Sequence, residues 1–335
     1  MAEICITVYF TRRKQVSYFL KRISTSAVIL FFVSVIIFTL IQLQPGNPFI
    51  GMISADTEPE YIEKRMEELG YNDPIPEQYI KWVKRVLTGD LGYSLQYKTK
   101  VSDLIISRLK NTLLLSGTAF LLSTILSCVI GVYTAYKKNT IFDYVLMGLS
   151  FLLFSIPSFF VELLLIKVFS FDLGIFPPSG IITAGSHYQG WNYWKDIFLH
   201  MILPVGALTV IQTAAMMRYV RAYMNDVFHQ DYMYVAKSKG LTRNRIIWVH
   251  GFRNILVSVI TLFSMQLPTL ISGAVLTETI FMWPGIGKLS YEAILAKDYP
   301  VVMGVTIFIA VIVLSMNLIA DILGALFNPH IKWNR

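Results

Sequence analysis

Six apolar runs of near-spanning length recur along this sequence, and they restrict its fold more than any other feature. A helix needs about 20 apolar residues to cross a hydrocarbon core roughly 30 Å thick. Hydrophobic residues make up 55% of the chain and charged residues 15%, against roughly 25% charged in soluble proteins. The sequence therefore predicts an all-α polytopic membrane protein whose six transmembrane helices are 24–43, Thr112–Tyr136, Ile141–Phe171, His200–Tyr219, Ile255–Met282 and Val301–Phe327.

The distribution of basic residues predicts the orientation of these helices. With the N-terminus inside, the cytoplasmic stretches hold five, two, seven and two Lys or Arg, in residues 1–23, 137–138, 218–254 and 328–335 respectively. The two later outer loops hold only Lys195, Lys288 and Lys297. Because Lys and Arg accumulate on the cytoplasmic side, both termini are predicted to lie inside. The net charge of +8 is then explained by topology and anionic lipid, and no nucleic-acid partner is expected.

The predicted domain organisation follows from this topology. A cytoplasmic segment (1–23) leads into the first span (24–43), and a polar stretch of mixed charge (44–110) forms an extracellular loop. Helical patterns at Glu58–Leu69 and Glu77–Leu87 suggest that this loop folds as a small helical cap, although a solvated loop is the alternative. The core is expected to occupy 111–327, with a cytoplasmic loop at 221–254 and a short tail at 328–335.

The most informative polar stretch is Asp231–Asn254, which carries five Lys or Arg among its residues. Helical spacing over Asp231–Lys239 places Tyr232, Val235, Ala236 and Lys239 on one face. Gly240 suits a helix C-cap, and Thr242 can cap a following helix. The small residues Ala236 and Gly240 would let another protein approach closely. A docking helix for a cytoplasmic partner is predicted, and a basic loop lying on anionic lipid is the alternative.

Several residues interrupt the apolar pattern inside the spans. Pro157, Pro204 and Pro268 each remove a backbone hydrogen bond. Glu278 and Glu162 are candidates for the pore or for substrate contact, because an ionisable group inside a span is a functional hypothesis by default. The alternatives are that Glu278 lies near the outer interface, and that Glu162 and Lys167 pair or reach towards water.

Motifs for catalysis or metal binding are missing from the sequence. Gly285–Ser290 resembles a phosphate-binding loop only superficially, because its spacing is wrong and its predicted side is outside. The five histidines lack metal-ligand spacing, and Cys5 and Cys128 form no CxxC pair. No catalytic residue, metal or cofactor is expected in this chain. Energy for any transport would come from a gradient or from a separate subunit.

A series of motifs in one order resembles the permeases of ATP-binding-cassette (ABC) importers, in the branch that handles dipeptides, oligopeptides and nickel. The matching stretches cover nearly the whole chain: Leu43–Pro48, Asp73–Tyr79, Gly89–Ser94, Ile156–Phe159, Leu173–Gly180, Asp231–Tyr232, Ala236–Leu241, Thr277–Phe281, Trp283–Gly287 and Lys297–Pro300. The long outer loop after the first span is similar to that of the B-type permease. Against the generic Glu-Ala-Ala-x-x-x-Gly motif, Tyr234, Val235 and Ala236 precede Gly240, so the glutamate is missing.

The resemblance implies a set of partners and a role for the cytoplasmic loop. Partners would be a second homologous permease, two cytoplasmic ATPase subunits that hold ATP and Mg, an extracellular binding protein, and the lipid bilayer of a bacterial cytoplasmic membrane. The cargo would be oligopeptides or dipeptides, with nickel or a metal chelate as the alternative. A gradient-driven secondary transporter is a further alternative, disfavoured because no internal repeat is visible. The residues expected to couple to the ATPase are Asp231, Tyr232, Val235, Ala236, Lys239, Gly240, Leu241 and Arg245.

Overall fold

The computed structural model describes residues 2–43, 73–272 and 274–327, which are predominantly helical. Apart from an isolated antiparallel bridge between Tyr93 and Lys100, these residues form helices and irregular connections. Two π-helical segments, Ile166–Asp172 and Arg245–Phe252, adjoin the α-helices. The α-helices are α1 (Ala2–Gln42), α2 (Ile75–Leu87), α3 (Val101–Tyr136), α4 (Ile141–Ser155), α5 (Ser158–Leu165), α6 (Trp191–Phe228), α7 (Asp231–Ser238), α8 (Arg253–Ser264), α9 (Thr269–Ser272), α10 (Val275–Ile280), α11 (Ile286–Leu295) and α12 (Tyr299–Phe327).

The predicted all-α polytopic membrane class is confirmed. Within the described residues, five continuous helical stretches are long and apolar enough to cross a membrane: Lys21–Gln42, Val101–Tyr136, Trp191–Phe228, Arg245–Ser264 and Tyr299–Leu323. A sixth candidate is the pair Ile141–Ser155 and Ser158–Asp172, whose axes differ by 102°. The predicted count of six is reached when this bent pair counts as one span.

Two of the predicted spans are not continuous helices. The third breaks at Pro157, which has no N–H to donate, and Ile156 before it is extended, at ψ 132°. The predicted fifth span, Ile255–Met282, is wrong as a single helix. The helical stretch begins ten residues earlier, at Arg245, and ends at Ser264, and two short helices follow the turn that contains Pro268.

Other boundaries differ because helices continue past the apolar runs. The backbone of α1 is helical from Ala2, so the predicted cytoplasmic segment and first span form one helix. α2 matches the predicted helix at Glu77–Leu87, whereas Glu58–Leu69 and the tail 328–335 lie outside the described residues. α3 begins at Val101, within the stretch that was predicted to be outer loop.

The chain divides into two compact units, and the first takes its described residues from Met1–Lys110 and Gly285–Leu318. The apolar core of this unit is buried between the start of α3, α11 and the start of α12, through Val101, Ile105, Ile286, Leu289, Ala293, Val301 and Val305. α2 packs on the end of α1, where the Phe38 ring lies 5.4 Å from Tyr79 and 5.7 Å from Trp82.

A buried polar cluster joins two of the sequence motifs within the first unit. The Ser94 hydroxyl donates to Asp298 Oδ2 at 2.5 Å, and the Gln96 amide donates to the same oxygen at 3.0 Å. The Tyr97 hydroxyl donates to Glu292 at 2.9 Å. Burial and this hydrogen bond raise the pKa of the Tyr97 phenol. The Gly89–Ser94 and Lys297–Pro300 motifs are therefore two halves of one structural contact.

The second unit takes its described residues from Asn111–Pro284 and Ile319–Ile331. Its main core joins α3, α6, the second π-helical segment and α8, through Val132, Ala135, Met216, Val220, Met224, Ile247, Ile255, Val259 and Phe263. Gly131 lets α3 and α6 approach closely, because a Cβ there would meet Met217 O and Val220 Cβ at 2.7 Å. Small residues serve this purpose at helix contacts in membranes.

Candidate functional site

The predicted docking helix is present as α7. It spans Asp231–Ser238, against a predicted Asp231–Lys239, and Asp231 lies in its first turn, where a negative charge favours the helix dipole. Gly240 follows at φ +70°, the left-handed conformation that glycine adopts without strain at a helix C-terminus. Its amide donates to the Lys237 carbonyl at 3.0 Å. The chain then resumes helical structure after Thr242.

The two faces of α7 have different surroundings. Met233 and Ala236 are buried, at 0% and 5% exposure, and α7 packs against the π-helical segment Arg245–Phe252. Tyr232, Tyr234 and Val235 are exposed. Partial burial raises the pKa of the Tyr232 phenol, so this side chain keeps its hydroxyl proton at neutral pH.

The predicted shared face of α7 needs one correction. Ala236 does not lie with the exposed Tyr232 and Val235, because it turns inward beside Met233. Its small side chain therefore lets α7 approach its own chain rather than a partner. Of the other predicted coupling residues, Asp231, Lys239, Gly240 and Arg245 are exposed and Leu241 is half-buried.

An ion pair that the sequence reasoning missed holds the base of this loop. Arg221 on α6 donates from Nε and Nη2 to the two carboxylate oxygens of Asp143 on α4, at 2.7 and 2.8 Å. The Asp143 side chain is only 2% exposed, and the Asn139 amide donates to it at 3.1 Å. The available signal was an acidic residue in the first turn of an apolar run, Asp143, with basic residues in the adjacent hairpin and at the start of the predicted cytoplasmic loop.

Aromatic contacts bring the two predicted cytoplasmic connections together. The Arg243 guanidinium lies 4.3 Å from the centroid of the Tyr136 ring, and the Tyr136 ring contacts Phe228 at 6.1 Å. Tyr133 contacts Trp248 at 6.2 Å. The hairpin 137–138 and the loop 221–254 therefore lie at one end of the second unit, as the predicted topology requires.

The two predicted pore carboxylates lie in a buried network near the other end of α3. Glu162 and Glu278 are both 0% exposed. Thr277 donates to Glu162 Oε1 and Thr112 donates to Glu278 Oε1, each at 2.6 Å. At about 1.5 Å per residue, Thr112 lies roughly 36 Å along α3 from Tyr136. Glu162 Oε2 has no hydrogen-bond partner within the described part of the chain.

This network connects α3, α5 and α10 rather than lining an open surface of the isolated chain. Glu278 belongs to the short helix α10 and not to a continuous fifth span. The Trp283 indole donates to the Asn111 carbonyl at 2.9 Å, which fixes the turn after α10. Lys167 pairs with exposed Asp172 at 2.6 Å, so the alternative in which it pairs with Glu162 is wrong.

A metal centre does not appear in the described part of the chain. No group of three or more His, Cys, Asp or Glu side chains in residues 2–43, 73–272 and 274–327 could hold an ion. The described part of the second unit thus carries a short helix with two buried side chains, Met233 and Ala236, at one end, and the buried network of Glu162 and Glu278 at the other.

Family models of known proteins match both halves of the chain. Residues 127–333 match the family described as binding-protein-dependent transport system inner membrane component, and residues 15–116 match its N-terminal family. The oligopeptide transport system permease protein AppB of Bacillus subtilis (strain 168) is 38% identical over 318 residues, which cover 95% of this chain and 99% of the relative.

Two further relatives show the same near-complete coverage. The di/tripeptide transport system permease protein DppB of Pseudomonas aeruginosa (strain UCBPP-PA14) is 36% identical over 336 residues, covering 95% of this chain and 99% of the relative. The dipeptide transport system permease protein DppB of Escherichia coli (strain K12) is 33% identical over 318 residues, covering 90% and 94%.

Proposed function

This chain belongs to the binding-protein-dependent transport system inner membrane components, and we propose that it is the permease subunit of an ABC importer for oligopeptides or dipeptides. Membership places it in the bacterial plasma membrane as a multi-pass protein. The names of the relatives support a peptide cargo over nickel or a metal chelate, and over a gradient-driven transporter. The chain is a transport component, and ATP hydrolysis is assigned to separate subunits.

The proposed assembly contains four kinds of subunit. This chain pairs with a second, homologous permease, two cytoplasmic ATPase subunits bind below them with ATP and Mg, and an extracellular binding protein delivers the peptide. The missing phosphate-binding loop supports a separate ATPase. The family description supports the binding protein.

The observation that carries the coupling proposal is the two-faced geometry of α7. Its exposed side chains are available to an ATPase surface, whereas Met233 and Ala236 attach it to Arg245–Phe252. That segment continues directly into α8. A displacement of α7 is therefore passed to a membrane helix without a flexible connection, which is the requirement for transmitting a two-state movement.

The test is a tryptophan at the hinge of this element. No described atom lies within 4 Å of a Cβ built on Gly240, so Gly240→Trp adds bulk to the cytoplasmic surface without a clash in the chain. The left-handed conformation adds strain of about 1–2 kcal/mol, which stays local to the loop. We expect normal membrane levels and assembly with loss of ATP-driven peptide uptake, measured with a labelled dipeptide in vesicles.

The matched control is Gly185→Trp in an outer loop. Gly185 also has a positive φ, of +77°, and no described atom within 4 Å of its Cβ position. This variant should transport normally. Unchanged uptake by Gly240→Trp at normal membrane levels would refute the coupling role. Uptake of labelled nickel in place of peptide by the unaltered transporter would refute the assignment of a peptide cargo.

A further inference from the structure

One basic side chain in the second unit points into the membrane region without a charged partner. The guanidinium carbon of Arg218 on α6 lies 5.2 Å from the centroid of the Phe151 ring and 4.8 Å from that of Phe154. Its Nε is buried and has no hydrogen-bond partner among the described residues. No carboxylate in that part of the chain forms an ion pair with it. Arg221, one turn later, forms an ion pair with Asp143 through two hydrogen bonds.

The direction of the Arg218 side chain is unusual for a cation near the end of a span. Asp143 lies in the first turn of α4 and marks the predicted cytoplasmic end. Phe151 and Phe154 lie roughly 12 to 16 Å further along α4, at about 1.5 Å per residue. Lys and Arg near helix ends ordinarily extend towards the interface, where phosphate and water solvate them. The Arg218 guanidinium extends the opposite way, towards the bilayer centre.

A guanidinium at this depth requires an anion or water, and no carboxylate among the described residues pairs with it. Facing acyl chains would be costly for an unpaired cation, so the Arg218 site must face a hydrated passage or a ligand. Phospholipid phosphates lie at the interface, on the side from which the side chain turns away. Because Nε is buried, the edge of the guanidinium that can reach a ligand is the one formed by its two terminal nitrogens, and this edge matches the two oxygens of a carboxylate.

We propose that Arg218, on its platform of Phe151 and Phe154, binds the C-terminal carboxylate of the peptide as it crosses the membrane. This inference rests on the proposed function, because a peptide cargo always carries one such group, whatever its side chains. Phe151 and Phe154 are 55% and 65% exposed. They offer a sequence-tolerant apolar surface to the residue that bears the carboxylate. The site thus pairs the carboxylate with a cation while the peptide crosses the membrane, where an unpaired charge is costly.

The experiment compares two cargoes that differ only in this charge. The complete transporter, with its binding protein, is reconstituted in vesicles, and uptake of alanyl-phenylalanine and of its C-terminal amide is measured. Each rate is divided by that of the unaltered transporter, so any preference of the binding protein cancels. In Arg218→Gln, uptake of the free acid should fall about tenfold or more, the value of a charge-assisted hydrogen bond. Uptake of the amide should not change.

Two further variants separate charge from folding. Arg218→Lys keeps the charge but loses the planar edge that matches a carboxylate, so uptake of the free acid should fall less than in Arg218→Gln without reaching the unaltered rate. Lys195→Gln removes one exposed positive charge near the other end of the same helix, and should leave both rates unchanged. An equal fall for both peptides in Arg218→Gln, or no fall in either, would overturn the site and would instead indicate a contact with lipid or with the second permease.

If the binding protein does not bind the C-terminal amide, photo-crosslinking tests the Arg218 site instead. A dipeptide whose C-terminal residue is p-benzoylphenylalanine should label the region around Phe151 and Phe154 during turnover, and this label should disappear in Arg218→Gln. A transported peptide that never labels α4 or α6 would refute the site. Failure of the unaltered transporter to take up any peptide would instead refute the proposed function.

Discussion

At the scale of single residues, the Asp143–Arg221 pair is a bidentate ion pair within the described part of the second unit. Both hydrogen bonds are charge-assisted and bidentate, at 2.7 and 2.8 Å. The carboxylate is almost completely buried, whereas Arg221 keeps 21% of its side chain exposed. Such a pair adds little net stability over an apolar contact, but removal of one partner leaves a buried charge unpaired. The pair therefore specifies how α4 meets α6 at the base of the cytoplasmic loop.

Arg221→Ala should destabilise the purified chain by about 3 kcal/mol, the usual penalty for an unpaired buried charge. The double variant Asp143→Asn with Arg221→Ala should recover a large part of that loss, because the neutral amide needs no counter-charge. Thermal unfolding in detergent of the unaltered chain, the two single variants and the double variant gives these effects as a double-mutant cycle. Strictly additive effects of the two substitutions would show that the pair does not act as a unit.

At the scale of elements, α7 is a short helix whose position depends on small inward side chains. Eight residues are too few for a helix to be stable by itself in water, so α7 depends on its contact with Arg245–Phe252. Ala236 is buried in that contact, where added side-chain volume is destabilising. The same burial assigns the small side chain of Ala236 to packing within the chain.

Ala236→Leu should loosen α7 from the segment beneath it. Overpacking a close contact costs about 1–3 kcal/mol, which corresponds to a rise of about fivefold to 150-fold in the population of the opened helix. Trypsin should then cleave faster at Lys237 and Lys239 in inside-out vesicles. Val235→Leu is the matched control, because Val235 is exposed and its enlargement should leave the cleavage rate unaltered. Equal rates in both variants would contradict the inward placement of Ala236.

At the scale of the whole molecule, the distribution of charge predicts which loops share a side of the membrane. The contact between Arg243 and Tyr136 places the hairpin 137–138 and the loop 221–254 at one end of the second unit. The loop 173–190 follows the π-helical segment after α5 and precedes α6. It should therefore face the opposite compartment.

Cysteine labelling checks this topology. With Cys5 and Cys128 replaced, Gln189→Cys and Ser238→Cys each provide one exposed thiol. A membrane-impermeant maleimide should label Gln189→Cys in intact right-side-out spheroplasts and Ser238→Cys in inside-out vesicles only. The same labelling pattern for both variants would rule out the assigned orientation.

The sequence by itself determined the features that depend on composition and order. The number of apolar runs, the start of α7 at Asp231 and its end before Gly240 all follow from transfer free energy and local backbone preference. The family resemblance in the motifs was confirmed by the comparisons across nearly the whole chain. These properties depend on residues that are close together in the sequence, so they can be predicted without knowledge of tertiary contacts.

Only the tertiary structure decided which distant side chains meet. Ala236 turns inward, Asp143 finds Arg221, Glu162 and Glu278 find threonines, and the predicted fifth span ends at Ser264. Arg218 likewise turns towards two phenylalanines of α4 rather than towards the interface. Each outcome depends on the packing of one helix against another. Helical periodicity restricts the faces that can pack, but it does not determine which partner each face receives.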